Sequence, residues 1–287
     1  MDRDNLDVLN RIQTSYNKLS KGQKLIADYI IQNYDKVAFM TASKLGEKVG
    51  VSESTVVRFA NALDYGGYPK LQKELQELIK TKLTTVQRLE LSEDYSNDKD
   101  VLKKVMKSDL DNIRKTIEEI DANNFQMVID SILDAKRVYI LGLRSSIVLA
   151  EYLGFYLNFI LENVHIVPSG INDIFDQLIN INEEDVIIGI SFPRYSKKTL
   201  EALQFAKDQG STIIGITDGP FSPIKSLAEF TLTARSNMTS FIDSLVAPMS
   251  LMNALIIGLS MKEKDKIAST FKNLENIWND YNIYIKK

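Results

Sequence analysis

The sequence contains no cysteine and a single histidine, His165, in 287 residues. Lack of cysteine excludes disulfides, thiolate metal sites and cysteine nucleophiles, and the expected setting is a reducing cytoplasm. One histidine removes most zinc sites and any two-histidine chemistry, so no metal or other cofactor is expected. Long hydrophobic runs are missing too. The apolar stretches are strand-sized or broken by polar residues, none reaching the ~20 residues of a membrane helix, so no membrane partner is expected. The first residues, "MDRDNLDVLNRIQ", are polar and acidic and do not read as a signal peptide.

What remains is a globular composition, 44% apolar and 25% charged, in a chain long enough for one large domain or two ordinary ones. The net charge of −3 is uneven. Residues 1–83 hold 13 Lys and Arg against 10 Asp and Glu (+3), and the remainder holds 22 against 28 (−6). The split suggests two parts with different partners, the first facing a polyanion.

The first 82 residues read as an all-helical domain. Ser20 with Gln23 forms a capping-box pattern before Leu25, Ile26, Tyr29, Ile30 and Tyr34 at helical spacing. Then comes "TASKLGEKVGVSESTVVRFANALDYGGYPKLQKEL". Thr41 caps a short helix with Ala42, Leu45 and Val49 inward, Gly50 ends it, and Val51 plugs the turn. Ser52 caps the next helix, whose buried side is read as Val56, Val57, Ala60 and Leu63. This is a helix-turn-helix, in which the second helix enters the major groove. The candidate DNA contacts are Ser52, Glu53, Ser54, Thr55, Arg58 and Asn61, with Arg suited to guanine and Asn to adenine. Lys44 and Lys70, together with Lys48 and Lys73, are candidate phosphate contacts. Ser-Glu-Ser-Thr is also a good helix start in any protein, and every helical hairpin has a polar outer face.

Residues 83–100 are polar and acidic and read as a flexible linker. Residues 101–287 form the second domain. It opens on an amphipathic helix through Val101, Val105, Leu110, Ile113 and Ile117 and a second helix capped near Asp121. From Lys136, β-branched strands alternate with helices: "RVYILG", "VHIVP", "DVIIGIS", "TIIGIT" and "EFTLTA". That rhythm implies a parallel sheet covered on both faces. Pro248 kinks the helix "FIDSLVAPMSLMNALIIGLSM" or marks a late start. Ligands of such sheets bind beyond the strand carboxyl ends, where strand order reverses. Two strand ends are unusually polar. One carries Arg144, Ser145 and Ser146. The other carries Ser191, Arg194, Tyr195 and Ser196, with Thr199 one step into the next helix. Two arginines, several hydroxyls and two helix N-termini suit a sugar phosphate, or a phosphosugar carrying a carboxylate. The competing reading is that the serines only cap helices and the arginines pair with Asp173, Asp176 or Asp218.

Taken together, these stretches resemble the RpiR/MurR family of bacterial transcriptional regulators, over nearly the whole chain. The resemblance rests on the helix-turn-helix stretch quoted above, on "VYILGLRSSIVLAEYL", on "DVIIGISFPRYSKKTLEALQFAKDQGSTIIGITDGPFSPI" and on "SFIDSLVAPMSLMNALI". It implies an all-α helix-turn-helix domain joined to an α/β sugar isomerase (SIS) domain, a parallel sheet in a three-layer sandwich. Such domains hold a phosphosugar with a Gly-x-Gly-x-Ser turn and a Ser-x-Ser-Gly-x-Ser/Thr loop. Gly142, Ser146, Ser191 and Ser196 match; Arg144 and Arg194 stand where glycine is usual and Pro193 where serine is usual. The implied function is a DNA-binding regulator of sugar metabolism that senses a sugar phosphate. Its expected partners are a double-stranded DNA operator, a sugar phosphate effector and a second copy of itself, in a homodimer or higher homo-oligomer. The apolar helices near 147–161 and 244–261 are candidate interface elements. The alternative is a phosphosugar isomerase or lyase with an accessory helical domain. Catalysis needs a positioned base, and His165, inside a strand, reads as a packed or edge residue, leaving Glu162, Asp173, Asp218 and Asp243. A third reading is a sugar-phosphate-binding module that regulates a protein partner.

Overall fold

Capping and apolar spacing account for most of the helices in the computed structural model, which describes residues 8–82, 84–90, 100–167, 173–220, 222–238 and 240–285. Contacts divide the chain into two units, 1–91 and 92–287.

The first unit is helical: α1 (Val8–Ser15), α2 (Lys21–Val37), α3 (Ala42–Val49), α4 (Glu53–Ala62), α5 (Tyr68–Lys82) and α6 (Thr85–Glu90). Ser20 and Gln23 make the reciprocal capping box that starts α2. Thr41 Oγ1 accepts the Lys44 N–H at 3.2 Å, and Ser52 Oγ accepts that of Thr55 at 3.3 Å. Between them Gly50 takes φ +77°, the left-handed geometry glycine tolerates best. The turn folds back so closely that a Cβ on Gly46 would lie 2.7 Å from the Val51 carbonyl oxygen. Ile12, Ile26, Ile30, Leu45, Val56, Phe59, Ala60, Leu71 and Leu75 are fully buried. Tyr68, also buried, donates to the Met40 carbonyl at 2.9 Å, and burial pushes its hydroxyl pKa up to about 12. One expectation is corrected here. Val57 lies on the outer face of α4, and Phe59 takes the buried place assigned to it. The inward positions 56, 59, 60 and 63 follow the i, i+3, i+4, i+7 rule, which puts residue 57 about 100° off that face. A second correction concerns residues 84–90, read as linker. They fold as α6, started by Thr84 and Gln87, with Arg88 buried. Residues 83 and 91–99 lie outside the described set.

The second unit holds five parallel strands: β1 (Arg137–Gly142), β2 (Val164–Val167), β3 (Asp185–Ile190), β4 (Thr212–Thr217) and β5 (Phe230–Thr233), in the order β2-β1-β3-β4-β5. The interior strands are almost wholly buried because helices cover both faces. One face packs against α8 (Ala122–Asp134), α9 (Ile147–Ile160), α12 (Val246–Lys262) and Ile267 of α13 (Lys264–Asp280). The other packs against α10 (Ile174–Gln177), α11 (Lys197–Asp208) and a 3₁₀ turn at Pro223–Ser226. This is the three-layer sandwich expected. Among the described residues no helix is long and apolar enough to cross a membrane.

Three elements depart from expectation. The helix expected over "INDIFDQLINI" is one turn, α10, in the described part. Its continuation is drawn away by tertiary bonds: Arg137 takes the Asn180 carbonyl at 2.6 Å and Asp185 takes the Asn182 N–H at 2.9 Å. Helix α12 starts at Val246, so Pro248 falls in the first turn, where its missing N–H breaks no helical bond. Helix α7 (Val101–Glu119) forms where expected but turned. Asn112 and Thr116 are buried, while Val101, Leu110 and Ile117 are exposed.

Candidate functional site

The strand order places the site. β1 is followed outward by β2, and the chain then returns to lay β3 on the other side of β1. The order reverses between β1 and β3, the switch point at which such sheets bind ligands. Their last residues, Gly142 and Ile190, are register partners, so the two polar loops leave the sheet side by side.

Each loop is shaped by local chemistry. At Gly142 a Cβ would lie 2.5 Å from the Ser146 carbonyl oxygen and 2.9 Å from the Ala150 Cβ, so only glycine lets the 3₁₀ turn Arg144–Ser146 close onto the strand. Ser146 is buried; Arg144 and Ser145 are exposed. After β3, Ser191 is buried and its N–H donates to the Ile216 carbonyl at 3.1 Å. Thr217, at the end of β4, donates to the Ser191 carbonyl at 2.8 Å. The end of β4 thereby joins the loop, bringing Asp218 with it. Asp218, 2% exposed, accepts from Tyr195 Oη at 2.7 Å, with Thr217 Oγ1 3.3 Å away. Ser196 caps α11, its Oγ accepting the Thr199 N–H at 3.4 Å. Thr199 Oγ1 is fully buried at the same helix start and has no hydrogen-bond partner.

The two arginines share an unusual backbone. Arg144 has φ +57° and Arg194 φ +63°. A side chain in the left-handed region costs roughly 1–2 kcal/mol per residue, so such residues concentrate where function holds them. Both occupy positions at which the resemblance expects glycine. The loops thus keep the backbone that glycine serves while presenting a guanidinium from each. The Arg144 carbonyl accepts the Ile147 N–H, while its guanidinium is exposed and makes no hydrogen bond or ion pair with the described residues.

Three of the four acids considered as bases are engaged elsewhere or held. Glu162 pairs with Lys266 at 3.2 Å, Asp173 caps α10, and Asp218 accepts from Tyr195. His165 stands exposed on edge strand β2, stacked on Tyr139 with ring centres 5.0 Å apart. With Asn158 and Gln177 it lines a cavity of about 340 Å³ at that edge. No group of three or more acidic or histidine side chains able to hold a metal occurs among the described residues. The sequence reading missed the part of Thr217, whose hydroxyl ties β4 to the β3 loop; a threonine closing "TIIGIT" gave no signal beyond strand propensity.

In the first unit, α4 presents Glu53, Ser54, Arg58 and Asn61 outward, with Thr55 half-buried. Ser52, Ser54 and Thr55 form a hydroxyl cluster with oxygens 2.8–2.9 Å apart. Arg58 lies back along its own helix, Nε donating to the Ser54 carbonyl at 3.2 Å. Lys44, Lys48, Lys70 and Lys73 are all exposed.

Thr199→Val offers a small test of the second unit. A buried hydroxyl without a partner carries an uncompensated desolvation penalty of about 1–3 kcal/mol. Valine, the same shape, is therefore expected to leave chemical-denaturation stability unchanged or raise it by up to about 1 kcal/mol. A loss above that would mean the hydroxyl is satisfied in the native protein.

A helix-turn-helix head joined to a parallel-sheet domain with arginine loops at its switch point defines a DNA-binding protein with an attached SIS domain. Comparison with known proteins agrees. The family model described as "Helix-turn-helix domain, rpiR family" matches residues 6–82, and the SIS domain model matches 131–258. An HTH-type transcriptional regulator of Clostridium perfringens is 25% identical over 283 residues, covering 96% of this chain and all of that one. One from Haemophilus influenzae is 26% identical over 285 residues, covering 94% and 96%. Among solved structures, the sugar isomerase domain of an RpiR transcription factor from Sphaerobacter thermophilus matches with TM-score 0.59 at 22% identity, covering 62% of this chain and 99% of that one. The Vibrio vulnificus NanR protein complexed with ManNAc-6P matches with TM-score 0.58 at 20% identity, covering 94% and 98%. At these identities the structures speak for the fold. The chain belongs to the RpiR family of helix-turn-helix transcriptional regulators and carries a SIS domain.

Proposed function

We propose that the loops after β1 and β3 bind a sugar phosphate and that this binding changes the affinity of the helix-turn-helix for its operator, in a homodimer or higher homo-oligomer. The observation that carries this reading is the pair of left-handed arginines, Arg144 and Arg194, at adjoining strand ends. Ser145, Ser146, Ser191, Tyr195, Ser196 and Thr199 supply hydroxyls, and the start of α11 supplies backbone N–H groups. A phosphosugar also fits the ligand named for the NanR structure, an amino-sugar phosphate. The chain acts as a sensor rather than a catalyst. Isomerisation needs a free base of tuned pKa, and Asp218, the acid at the end of β4, is buried and held by the Tyr195 hydroxyl. Residues 1–82 form the DNA-binding part and 101–287 the sensing part, joined through 83–100, in the cytoplasm.

For a ligand to regulate, it must bind one DNA-affinity state better than another. The test follows operator binding by fluorescence anisotropy while a panel of hexose and amino-sugar phosphates is added, with product analysis alongside. A ligand-dependent shift without turnover supports the sensor; turnover of any panel member overturns it.

On the DNA side, Ser52, Glu53, Ser54, Thr55, Arg58 and Asn61 face the bases, with exposed Val57 available to a thymine methyl, while Lys44 and Lys70 hold phosphates. Arg58→Ala is expected to weaken operator binding by about 1–3 kcal/mol, roughly 5- to 150-fold, and relax sequence preference, with phosphosugar affinity unchanged. Lys70→Ala is expected to weaken all sequences alike and flatten the salt dependence. Wild-type operator affinity in the Arg58 variant would rule out its base-reading role.

A further inference from the structure

Helix α7 wears its polar side inward. Ser244 Oγ donates to Asp109 at 2.6 Å, the Arg235 N–H donates to Thr116 Oγ1 at 2.9 Å, and Glu119 holds the Arg235 guanidinium. The Asn112 side chain is fully buried with neither amide atom hydrogen-bonded. The large apolar side chains lie outside. Leu102 is 73% exposed, Met106 63%, Leu110 69% and Ile117 69%, and Ile113 is half-buried. Their spacing of four, four, three and four residues makes one continuous stripe. A helix that turns such a stripe to water while burying an orphaned amide needs something to cover it.

We propose that the cover is a second copy of this chain, α7 lying antiparallel against α7 about a two-fold axis beside Leu110. The inference rests on the homo-oligomeric regulator reading and names its interface. Three features favour a second copy. The stripe is self-complementary, as a two-fold interface must be. An axis beside Leu110 sets Leu102 opposite the partner's Ile117 and Met106 opposite the partner's Ile113. The charges along its flank also match in this direction. Lys103 comes beside the partner's Glu118 and Lys107 beside the partner's Asp111, each twice by symmetry, adding to exposed pairs already made within the helix by Lys103 with Asp100, Glu118 with Arg114 and Asp111 with Lys115. Finally, the area can be completed. A 19-residue helix is ~28 Å long and ~10 Å wide, short of the ~800 Å² per partner of a stable interface. Phe241, Ile242 and Val246, 40–55% exposed, flank Ser244, which is bonded to α7, and widen the apolar surface there. Of the other helices that expose apolar side chains, α12 shows, besides Val246, only Ile257 and Met261 near its end, and the α9 surface is partly self-covered. Phe155 packs edge-on against Tyr156 and Phe159, Phe159 against Phe271, and Tyr152 bonds Asn253.

Sedimentation equilibrium of the full chain tests the proposal. Wild type is expected to be dimeric, and Leu110→Asp to raise the dimer dissociation constant at least 100-fold with unchanged far-ultraviolet circular dichroism, since Leu110 is already exposed. Lys103→Glu alone and Glu118→Lys alone are each expected to weaken the dimer about 10-fold, and the double variant to recover to within about threefold of wild type. A monomeric wild type at 100 μM, a Leu110→Asp dimer within twofold of wild type, or dissociation by Phe155→Asp alone would overturn it. Calorimetric titration of wild type with the phosphosugar panel is scored separately. Loss of the dimer in Leu110→Asp supports this interface even if no phosphosugar binds, an outcome that would remove the sensor reading alone.

Discussion

Replacing Arg144 and Arg194 together by glycine is expected to make the protein more stable and deaf to its effector. Both residues occupy the left-handed region, at φ +57° and +63°, where glycine carries no Cβ penalty. Relief of roughly 1–2 kcal/mol per site is offset by the greater freedom of glycine in the unfolded chain, leaving about 0.5–1 kcal/mol each. The gain is read as a rise of a few degrees in Tm. Effector binding moves the other way. A charge-assisted hydrogen bond contributes about 1.5–3 kcal/mol, so loss of two guanidinium contacts is expected to weaken affinity roughly 100-fold or more. Alanine at the same positions separates the two effects. It removes the charge but keeps the strained backbone, so the alanine variants should lose affinity without gaining stability. Equal stability of the alanine and glycine variants would refute backbone strain. Unchanged effector response in either set would make the arginines structural.

The other large effect lies at the opposite end of the same two strands. Arg137 of β1 grips Asp185 of β3 with two bonds, at 2.9 and 2.7 Å, and the Asp185 side chain is wholly buried. The carboxylate holds the guanidinium pKa above its ordinary value, chiefly through that hydrogen bond. Arg137→Ala would leave a buried carboxylate without its cation, a change that typically costs about 3–5 kcal/mol. The remaining Asn182 N–H bond and the partial exposure of Arg137 set the expectation near the lower end. Urea unfolding of the variant should show that loss, with phosphosugar affinity of the folded fraction retained. A change below about 1 kcal/mol would mean that water replaces the guanidinium at no great penalty.

Much of this architecture is legible in the sequence because it is written locally. Thr41, Gly50 and Ser52 announce the helix-turn-helix through short-range capping chemistry. The runs at 137–142, 185–190 and 212–217 announce buried parallel strands through β-branched composition. What escapes is whatever depends on a distant partner. The inward face of α7 is set by Asp109, Thr116 and Glu119 meeting Ser244 and Arg235, residues more than a hundred positions away, against the apolar period of the helix itself. Helix α10 gives way in part to such a partner, Arg137, which takes the Asn180 carbonyl. The candidate site was legible as to residue type and strand end. The positive φ of its arginines was not, because nothing in a spacing pattern distinguishes an arginine that replaces glycine in conformation from one that replaces it in sequence alone.

The hydroxyl of Thr217 fastens the Ser191 carbonyl, the Ser191 N–H meets the Ile216 carbonyl, and Ser222 is bonded to the same threonine. The rim of the proposed site is therefore shaped before any guest arrives. Little ordering entropy is spent on capture, and the rim has little latitude to adjust. Selectivity in such a receptor comes from rejecting sugars of the wrong outline, so its repertoire of effectors should be narrow, with close stereoisomers told apart by collision with a fixed wall.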